Sequence, residues 1–294
     1  MQEMATRDHD AAFEAIPDRA RQVLQGAIDA HVHAAPDPYA ERRMDSRDLV
    51  QMAHASGMAG LVLKSHEYPT QPLAMALEQE TPGFRVHGAM SLDQGNGGIN
   101  PEAVEISMRI GATVVWMPTF DSAMSRSRGM GGREFTYPPV AVVDELGVLL
   151  PAVHEVLDVI QSYDRVLASG HLSGDETLTL MEESRRRGIR SIITHGSFWI
   201  PIEVQQQVAR AGGYIEHCAI GVQRENGDEV AADIFRQVRE VGAEHVVLST
   251  DLGQANNPDP PVGFGLWIER FLMAGFSAED VSCMVRQNPT DLLG

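Results

Sequence analysis

The sequence of 294 residues predicts the α/β class and, within it, a single (β/α)8 barrel. Short β-branched or apolar runs recur every few tens of residues, and segments with helical spacing of apolar positions lie between most of them. No linker rich in Pro or Ser divides the chain, and strand-helix units continue across its midpoint. This alternation predicts a parallel sheet with crossover helices, which a chain of this length can close into one barrel.

The strand runs give eight barrel positions, of which the fifth has two candidates. In chain order they are 27–33, 59–66, 84–92, 112–119, either 148–154 or 164–171, 189–196, 213–220 and 244–251. We therefore divide the chain into an N-terminal helical extension, residues 1–26, and one barrel domain, residues 27–294.

The intervening helices carry recognisable ends. The segment 46–58 repeats apolar residues at helical spacing and stops at Gly57, as helices commonly do. The segment 174–188 has acidic residues in its first turn and three arginines in its last, which complements the helix dipole. The arginine run, Arg185 to Arg187, is thus interpreted as a solvated helix end rather than an anion site.

Composition narrows the classes of partner. The formal charge of -18 disfavours nucleic acid and anionic membranes, because each neutralised phosphate needs a Lys or Arg. The two cysteines, Cys218 and Cys283, lie in apolar runs and are expected to be buried thiols in a reducing compartment. Neither a signal peptide nor an apolar run of about 20 residues is present, so we expect a cytoplasmic protein acting on a small molecule. A homo-oligomer is compatible with the sequence.

A His-x-His pair ends the first predicted strand. Alternate residues of a strand point to the same side, so His31 and His33 project together. Neutral imidazole is a common ligand of zinc-like ions, and a catalytic site needs about three protein ligands and an open position. Two imidazoles fixed in this way predict a metal site.

Polar residues also follow the apolar runs of four later strands. A parallel barrel collects the C-terminal ends of its strands around one crater, so these residues should converge on the same site. They are Lys64 and His66, His171, His195 and Asp251.

In this pattern the chain resembles the amidohydrolase superfamily of metal-dependent hydrolases, over residues 27 to 294. The resemblance rests on the His31-x-His33 pair, on His171, His195 and Asp251 in that order, and on the closing NPTDLLG. It implies that His31, His33 and Asp251 hold one metal, and that His171 and His195 hold a second or orient substrate. It also implies that Asp251 takes the proton of the attacking water, which agrees with the chemistry of a carboxylate beside a divalent ion.

One departure concerns the bridge between two metals. Members with two ions commonly use a carboxylated lysine or a glutamate on the fourth strand, and the run 112–119 offers neither. Lys64 is then a displaced carboxylated lysine, an ammonium that pairs with Asp251 or binds a substrate carboxylate, or part of a structural salt bridge. One or two ions remain compatible with the sequence, zinc first, with manganese or iron as alternatives.

The remaining polar residues receive lesser roles. His66 and the loop arginines Arg126, Arg128 and Arg133 are candidates for substrate contact, the arginines toward an anionic group. Asp29 is expected to bond a ligand imidazole. Glu216 and His217 point to opposite faces of their strand and are interpreted as packing between barrel and helices. His154 is a weaker candidate than His171 for the fifth strand. The remaining histidines, His54, His87 and His245, are interpreted as structural.

The predicted function is hydrolysis of an amide, cyclic amide or lactone by metal-activated water. A metal-dependent decarboxylase or phosphoesterase would use the same barrel and ligands. A non-catalytic metal-binding protein is the alternative of another class. The substrate is set by loop shape, which the ligand set does not reveal.

Overall fold

The computed structural model describes residues 13–132 and 134–294, and in them eight parallel strands pair in chain order. They are β1 (Ile28–Val32), β2 (Gly60–Leu63), β3 (Arg85–Ser91), β4 (Ala112–Trp116), β5 (Val166–Ala168), β6 (Ser191–Ile193), β7 (Tyr214–Cys218) and β8 (Val246–Ser249).

Hydrogen bonds at the ends of β1 and β8 bring the first and last strands together. The amide of Asp251 donates to the carbonyl of His31 at 2.7 Å, and the amide of His33 donates to the carbonyl of Leu252 at 2.8 Å. The Asp29 carboxylate accepts the Thr250 amide at 2.9 Å and its hydroxyl at 2.5 Å. The predicted (β/α)8 (TIM) barrel is therefore confirmed.

The fifth strand lies in the second of its two candidate runs, 164–171. The run 148–154 instead leads into a helix that begins at Pro151. Proline suits the first turn of a helix, because its φ is preset and its missing N–H would have no partner there. The proline inside the run 148–154 therefore indicates the start of a helix instead of a strand.

Helices follow the strands around the barrel. They are α1 (Asp18–Leu24), α2 (Ser46–Ala55), α3 (Gln71–Glu80), α4 (Pro101–Ile110), α5 (Ala123–Ser127), α6 (Pro151–Ser162), α7 (Gly174–Arg187), α8 (Gly196–Trp199), α9 (Ile202–Arg210), α10 (Gly227–Val241), α11 (Pro260–Met273), α12 (Ala278–Ser282) and α13 (Asn288–Leu293). A π-helical turn, Cys283–Gln287, joins the last two.

The helix boundaries follow from capping side chains. Asp45 accepts the Asp48 amide at the start of α2, and Ser173 and Glu176 form a reciprocal capping box at the start of α7. At the other end of α7, Arg187 pairs with Glu183 at 2.7 Å, and Arg185 and Arg186 are exposed. The interpretation of this run as a solvated helix end therefore agrees with the structure.

Apolar residues fill two zones. Inward residues such as Ile28, Val62 and Val114 pack inside the barrel, and a larger layer lies between the sheet and the helices. The helix α1 packs on α11 and forms the described part of the predicted extension, while residues 1–12 lie outside the described residues. None of the helices in the described part of the chain has the length and apolar character that a membrane crossing needs.

The Asp29–Thr250 contact provides a test of how the barrel closes. The substitution Thr250→Val keeps the shape of the side chain but removes a donor to a buried carboxylate. We expect the free energy of unfolding to fall by about 1–3 kcal/mol, because Oδ2 of Asp29 then lacks its hydrogen bond from the Thr250 hydroxyl. Urea unfolding measures the loss, and the exposed Thr136→Val is the control, with a change within about 0.5 kcal/mol. Equal stabilities of both variants would contradict this role for the contact.

Candidate metal centre

The C-terminal ends of the strands form a crater in which three predicted ligands converge. The Nε2 atom of His33 lies 3.0 Å from Oδ1 of Asp251, and Nε2 of His31 lies 3.3 Å from the same oxygen. Both imidazoles are fully buried, whereas the Asp251 side chain remains 14% exposed. The donor group thus opens toward solvent through its carboxylate.

Two residues of the crater have unusual backbones. His195 has φ 54° and Asp251 has φ 49°, in the left-handed region that residues other than glycine seldom adopt. Such conformations persist where the surrounding structure enforces them, often at functional sites. Here they place Oδ2 of Asp251 at 3.5 Å from Nε2 of His195.

Glu216 faces the crater, which corrects the interpretation that both polar residues of β7 pack outside the barrel. Its Oε1 accepts from Nδ1 of His31 at 2.9 Å and from the Ser249 hydroxyl at 2.8 Å, and its Oε2 accepts the His195 amide at 3.2 Å. A carboxylate on Nδ1 directs the free electron pair of Nε2 toward the crater. The signal in the sequence was an acidic residue inside an apolar strand, two positions before its end.

His217 points away from the crater, as the alternation of side chains in β7 requires. It is fully buried, and neither ring nitrogen has a hydrogen-bond partner within the described residues. For this residue the packing interpretation agrees with the structure.

Lys64 reaches into the ligand group itself. Its Nζ lies 3.0 Å from Nε2 of His31 and 5.2 Å from the centre of the Trp116 ring. Burial lowers the pKa of this amine, while Asp251 and Glu216 oppose the shift. Trp116 occupies the end of β4.

His171 and His195 lie side by side, with ring centres 5.2 Å apart. Nδ1 of His171 contacts the Ser125 hydroxyl at 3.0 Å, and its buried Nε2 has no hydrogen-bond partner in the described part of the chain. Nδ1 of His195 lies 3.2 Å from Sγ of Cys218. The crater therefore contains a buried imidazole nitrogen that a bound ion or substrate would satisfy.

His66 lies beside the first ligands. Its ring stacks on that of His33 with centres 5.0 Å apart, and its Nδ1 contacts the Thr119 hydroxyl at 2.6 Å. That hydroxyl also donates to Asp93, whose carboxylate accepts the amides of Thr119 and Asp121. The chain after β4 thus fixes His66 beside His33 at the crater wall.

The loop arginines divide into different roles. Arg126 pairs with Asp121 at 2.9 Å and contacts the rings of Phe135 and Tyr137, so its predicted anion contact is wrong and it braces the loop. Arg128 is exposed on the same face of the barrel, at the end of α5. Arg133 lies outside the described residues.

Other assigned residues lie away from the ligands or act differently. Asp29 accepts hydrogen bonds from the backbone amides of His31 and Thr250. The prediction that it bonds a ligand imidazole is therefore wrong. His154 lies on α6 beside Glu183, outside the crater. His54 contacts Phe84 and His87 contacts Thr113, while His245 lies in a short 3-10 turn before β8.

Burial fixes the charge state of the crater. Desolvation lowers the pKa of His33 to about 3 and that of His195 to about 4, and holds the pKa of His66 and His171 well below the ordinary value. Burial alone would raise the pKa of Asp251, but the facing histidines outweigh it and hold that pKa well below its usual range. Neutral imidazoles beside an ionised carboxylate are the forms that bind metal.

The donor chemistry fits a divalent ion. Atoms about 3.0–3.3 Å apart can each lie near 2.0–2.2 Å from one ion, as zinc requires. A second donor group, formed by His31, His195, Glu216 and Cys218, is fully buried. We favour the group with His33 and Asp251, because a catalytic ion needs an open position.

Solved structures of other proteins share this barrel fold. An amidohydrolase from Pseudomonas aeruginosa matches with TM-score 0.65 and 12% identity over 93% of this chain and 98% of that chain. A probable dipeptidase, PvdM, from the same organism matches with TM-score 0.67 and 11% identity over 98% of both chains. The lactonase Lmo2620 from Listeria monocytogenes matches with TM-score 0.62 and 14% identity over 92% of this chain and 95% of that chain. At these identities the likeness establishes the fold.

The chain belongs to DUF6282, a family of unknown function, whose model matches residues 26–216. This match covers β1 to β7 as far as Glu216, and so includes the ligand pair of β1, Lys64, His171 and His195. A comparison with curated protein sequences gave no match.

The buried neutral histidines predict a loss of stability in acid. Burial lowers the pKa of His217 to about 4, whereas the unfolded chain binds this proton near pH 6.5. The free energy of unfolding therefore falls as the pH drops from about 6.5 toward 4, by about 1.4 kcal/mol per pH unit for this group.

The substitution His217→Leu removes that contribution. In urea unfolding of chelator-treated protein, the variant should gain stability relative to wild type by about this amount per pH unit below pH 6.5. Above pH 7.5 the difference between the two proteins should be constant. A difference that does not change with pH would show that His217 is not held neutral.

Proposed function

We propose that the chain is a metal-dependent hydrolase that uses water to cleave an amide, cyclic amide or lactone of a small molecule. The observation that carries this proposal is the convergence of His31 Nε2, His33 Nε2 and Asp251 Oδ1 in one crater at the ends of the strands. The likeness of the fold to structures described as an amidohydrolase, a dipeptidase and a lactonase supports it. A bound divalent ion would lower the pKa of water to about 7 and polarise the scissile carbonyl.

Each residue then has a role set by its position. His31, His33 and Oδ1 of Asp251 would hold the ion, and Glu216 orients His31 through Nδ1. Oδ2 of Asp251 faces the opposite side, toward His195, and is the oxygen that accepts a proton from the attacking water and returns it to the leaving group. A Cys218 thiol that donates to Nδ1 of His195 would leave a proton on Nε2, which can donate to the carbonyl oxygen of the substrate.

Lys64 constrains how an ion enters. A protonated amine 3.0 Å from Nε2 of His31 would repel a cation at the same nitrogen. We infer that Lys64 is carboxylated in the loaded protein, because burial favours the neutral amine, and that form reacts with carbon dioxide. With His171 and His195 it would then hold a second ion, in which case Nε2 of His195 would be a ligand without a proton and would no longer donate to the substrate. Zinc is the first metal to test.

The metal ligands are tested by elemental analysis of protein purified without chelator. We expect one or two equivalents of zinc, manganese or iron in wild type, and a loss of at least half in His31→Ala and in Asp251→Ala. The control is His154→Ala, a histidine on α6 outside the crater, which should keep the full metal content. Absence of metal in wild type after reconstitution would overturn the proposal.

The state of Lys64 is tested by preparing metal-free protein with and without bicarbonate before reconstitution. Carboxylation predicts about one more equivalent of metal with bicarbonate, and Lys64→Met should lose this dependence. Equal metal contents under both conditions would identify Lys64 as an ammonium instead.

The reaction class is tested on amides, cyclic amides and lactones, by proton release at constant pH. Turnover should be lost by at least 100-fold in Asp251→Asn, which keeps the shape of the side chain but is a poor proton acceptor. Release of carbon dioxide or phosphate from other substrates would favour the decarboxylase or phosphoesterase alternative. Tight metal binding without turnover of any class would favour a metal-binding protein.

A further inference from the structure

A cavity of about 500 Å³ opens beside the crater and takes no part in the roles given above. Its wall combines the aromatic rings of Phe198 and Trp199 with the hydroxyl of Ser197 and two arginines, Arg128 and Arg224. These residues come from the segments that follow β4, β6 and β7. The cavity thus lies on the face of the barrel where substrates bind in this fold, and its volume suits a small molecule.

Two physical connections join the cavity to the crater. The Trp199 ring lies 5.2 Å from that of His171 and 5.4 Å from that of His195, centre to centre, so one aromatic ring separates cavity and ligands. On the opposite wall, α5 contacts His171 through Ser125 and ends three residues later at Arg128. The cavity therefore adjoins the crater across Trp199 and α5.

Two residues of the cavity wall carry polar atoms that lack a hydrogen-bond partner. Nε1 of Trp199 and Oγ of Ser197 are buried atoms without a hydrogen-bond partner within the described residues. Buried polar atoms are usually paired, so Trp199 carries an unsatisfied N–H in the ring that stands between the cavity and the crater. The indole N–H can only donate, so its partner must be an acceptor.

Charge selects the kind of acceptor. The Arg224 guanidinium lies 5.4 Å from the centre of the Phe198 ring, and neither it nor Arg128 forms an ion pair within the described part of the chain. Two carboxylates also line the cavity, Glu229 and Asp233. Asp233 pairs with Arg236 at 2.6 Å and shares that arginine with Glu240, whereas the two arginines of the cavity have no ion pair within the described residues. In a chain with a net charge of -18, two arginines without an ion pair at one cavity favour an anion.

We propose that this cavity binds a carboxylate arm of the substrate, so that the enzyme acts on small amides or lactones in which a carboxylate adjoins a planar ring. Arg128 and Arg224 would pair with the carboxylate, while Phe198 and Trp199 would stack on the ring. The inference rests on the proposed hydrolase function for the identity of the reacting bond. The binding of the arm itself depends only on the cavity.

Binding is tested by calorimetry with three probes of similar shape and different charge, namely benzoate, benzamide and benzylamine. Benzoate should bind wild type at least tenfold more tightly than benzamide, and benzylamine should not bind. Arg224→Gln and Arg128→Gln should each weaken benzoate binding about tenfold. Arg185→Gln, an exposed arginine at the end of α7, is the matched control and should bind benzoate as wild type does. Trp199→Phe keeps an aromatic wall but removes the N–H, and should weaken benzoate more than benzamide.

The outcomes separate this inference from the proposed function. Equal affinity for benzoate and benzamide, no binding of benzoate at millimolar concentration, or preferred binding of benzylamine through Glu229 would each overturn the carboxylate site. Metal content, measured on the same preparations, tests the hydrolase function independently. Bound metal without benzoate binding would support the hydrolase function and overturn the carboxylate site. Benzoate binding without metal would support the carboxylate site and overturn the hydrolase function.

Discussion

The site depends on the junction between the first and last strands of the barrel. The backbone bonds between His31 and Asp251 and between His33 and Leu252 close the barrel and at the same time set the ligand side chains next to each other. Gly253 makes this close approach possible, because a side chain there would collide with the His33 carbonyl. The hydrogen bonds that complete the fold therefore also bring together residues more than 200 positions apart in sequence.

Electrostatics in the crater follow from burial together with a few placed anions. Burial keeps His33, His171 and His195 neutral, so their nitrogens are available as donors. Burial alone would raise the pKa of Glu216. The nearby His31, together with the hydrogen bonds that the Glu216 carboxylate accepts, instead holds that pKa at about 2. An ionised carboxylate behind His31 strengthens that imidazole as a ligand and fixes its tautomer. The charge of Lys64 matters most to metal binding in the proposed function, because a protonated amine beside Nε2 of His31 would repel a cation there.

In the proposed function, the strand ends supply the metal ligands and the loops supply the contacts to the substrate. The ligands stand at or immediately after strands, where the hydrogen-bonded sheet limits their motion, whereas the cavity with Arg128 and Arg224 is built from the segments between strands and helices. Such an arrangement lets the substrate change without disturbance of the ligand group. In this molecule α5 couples the two parts, since it contacts His171 and also carries Arg128 at its end.

Periodicity and strand ends in the sequence predicted the barrel, and the order of polar residues predicted His31, His33, Lys64, His171, His195 and Asp251 as neighbours. These features are local, because alternation along a strand fixes which side chains point inward and parallel strands share one end. Only the tertiary structure decided that Glu216 faces inward, that Arg126 braces its loop, and that Asp29 bonds backbone amides. It also decided that a cavity lies beside His171 and His195. Those facts depend on which partners the folded chain brings next to each side chain, and the periodicity of the sequence does not specify them.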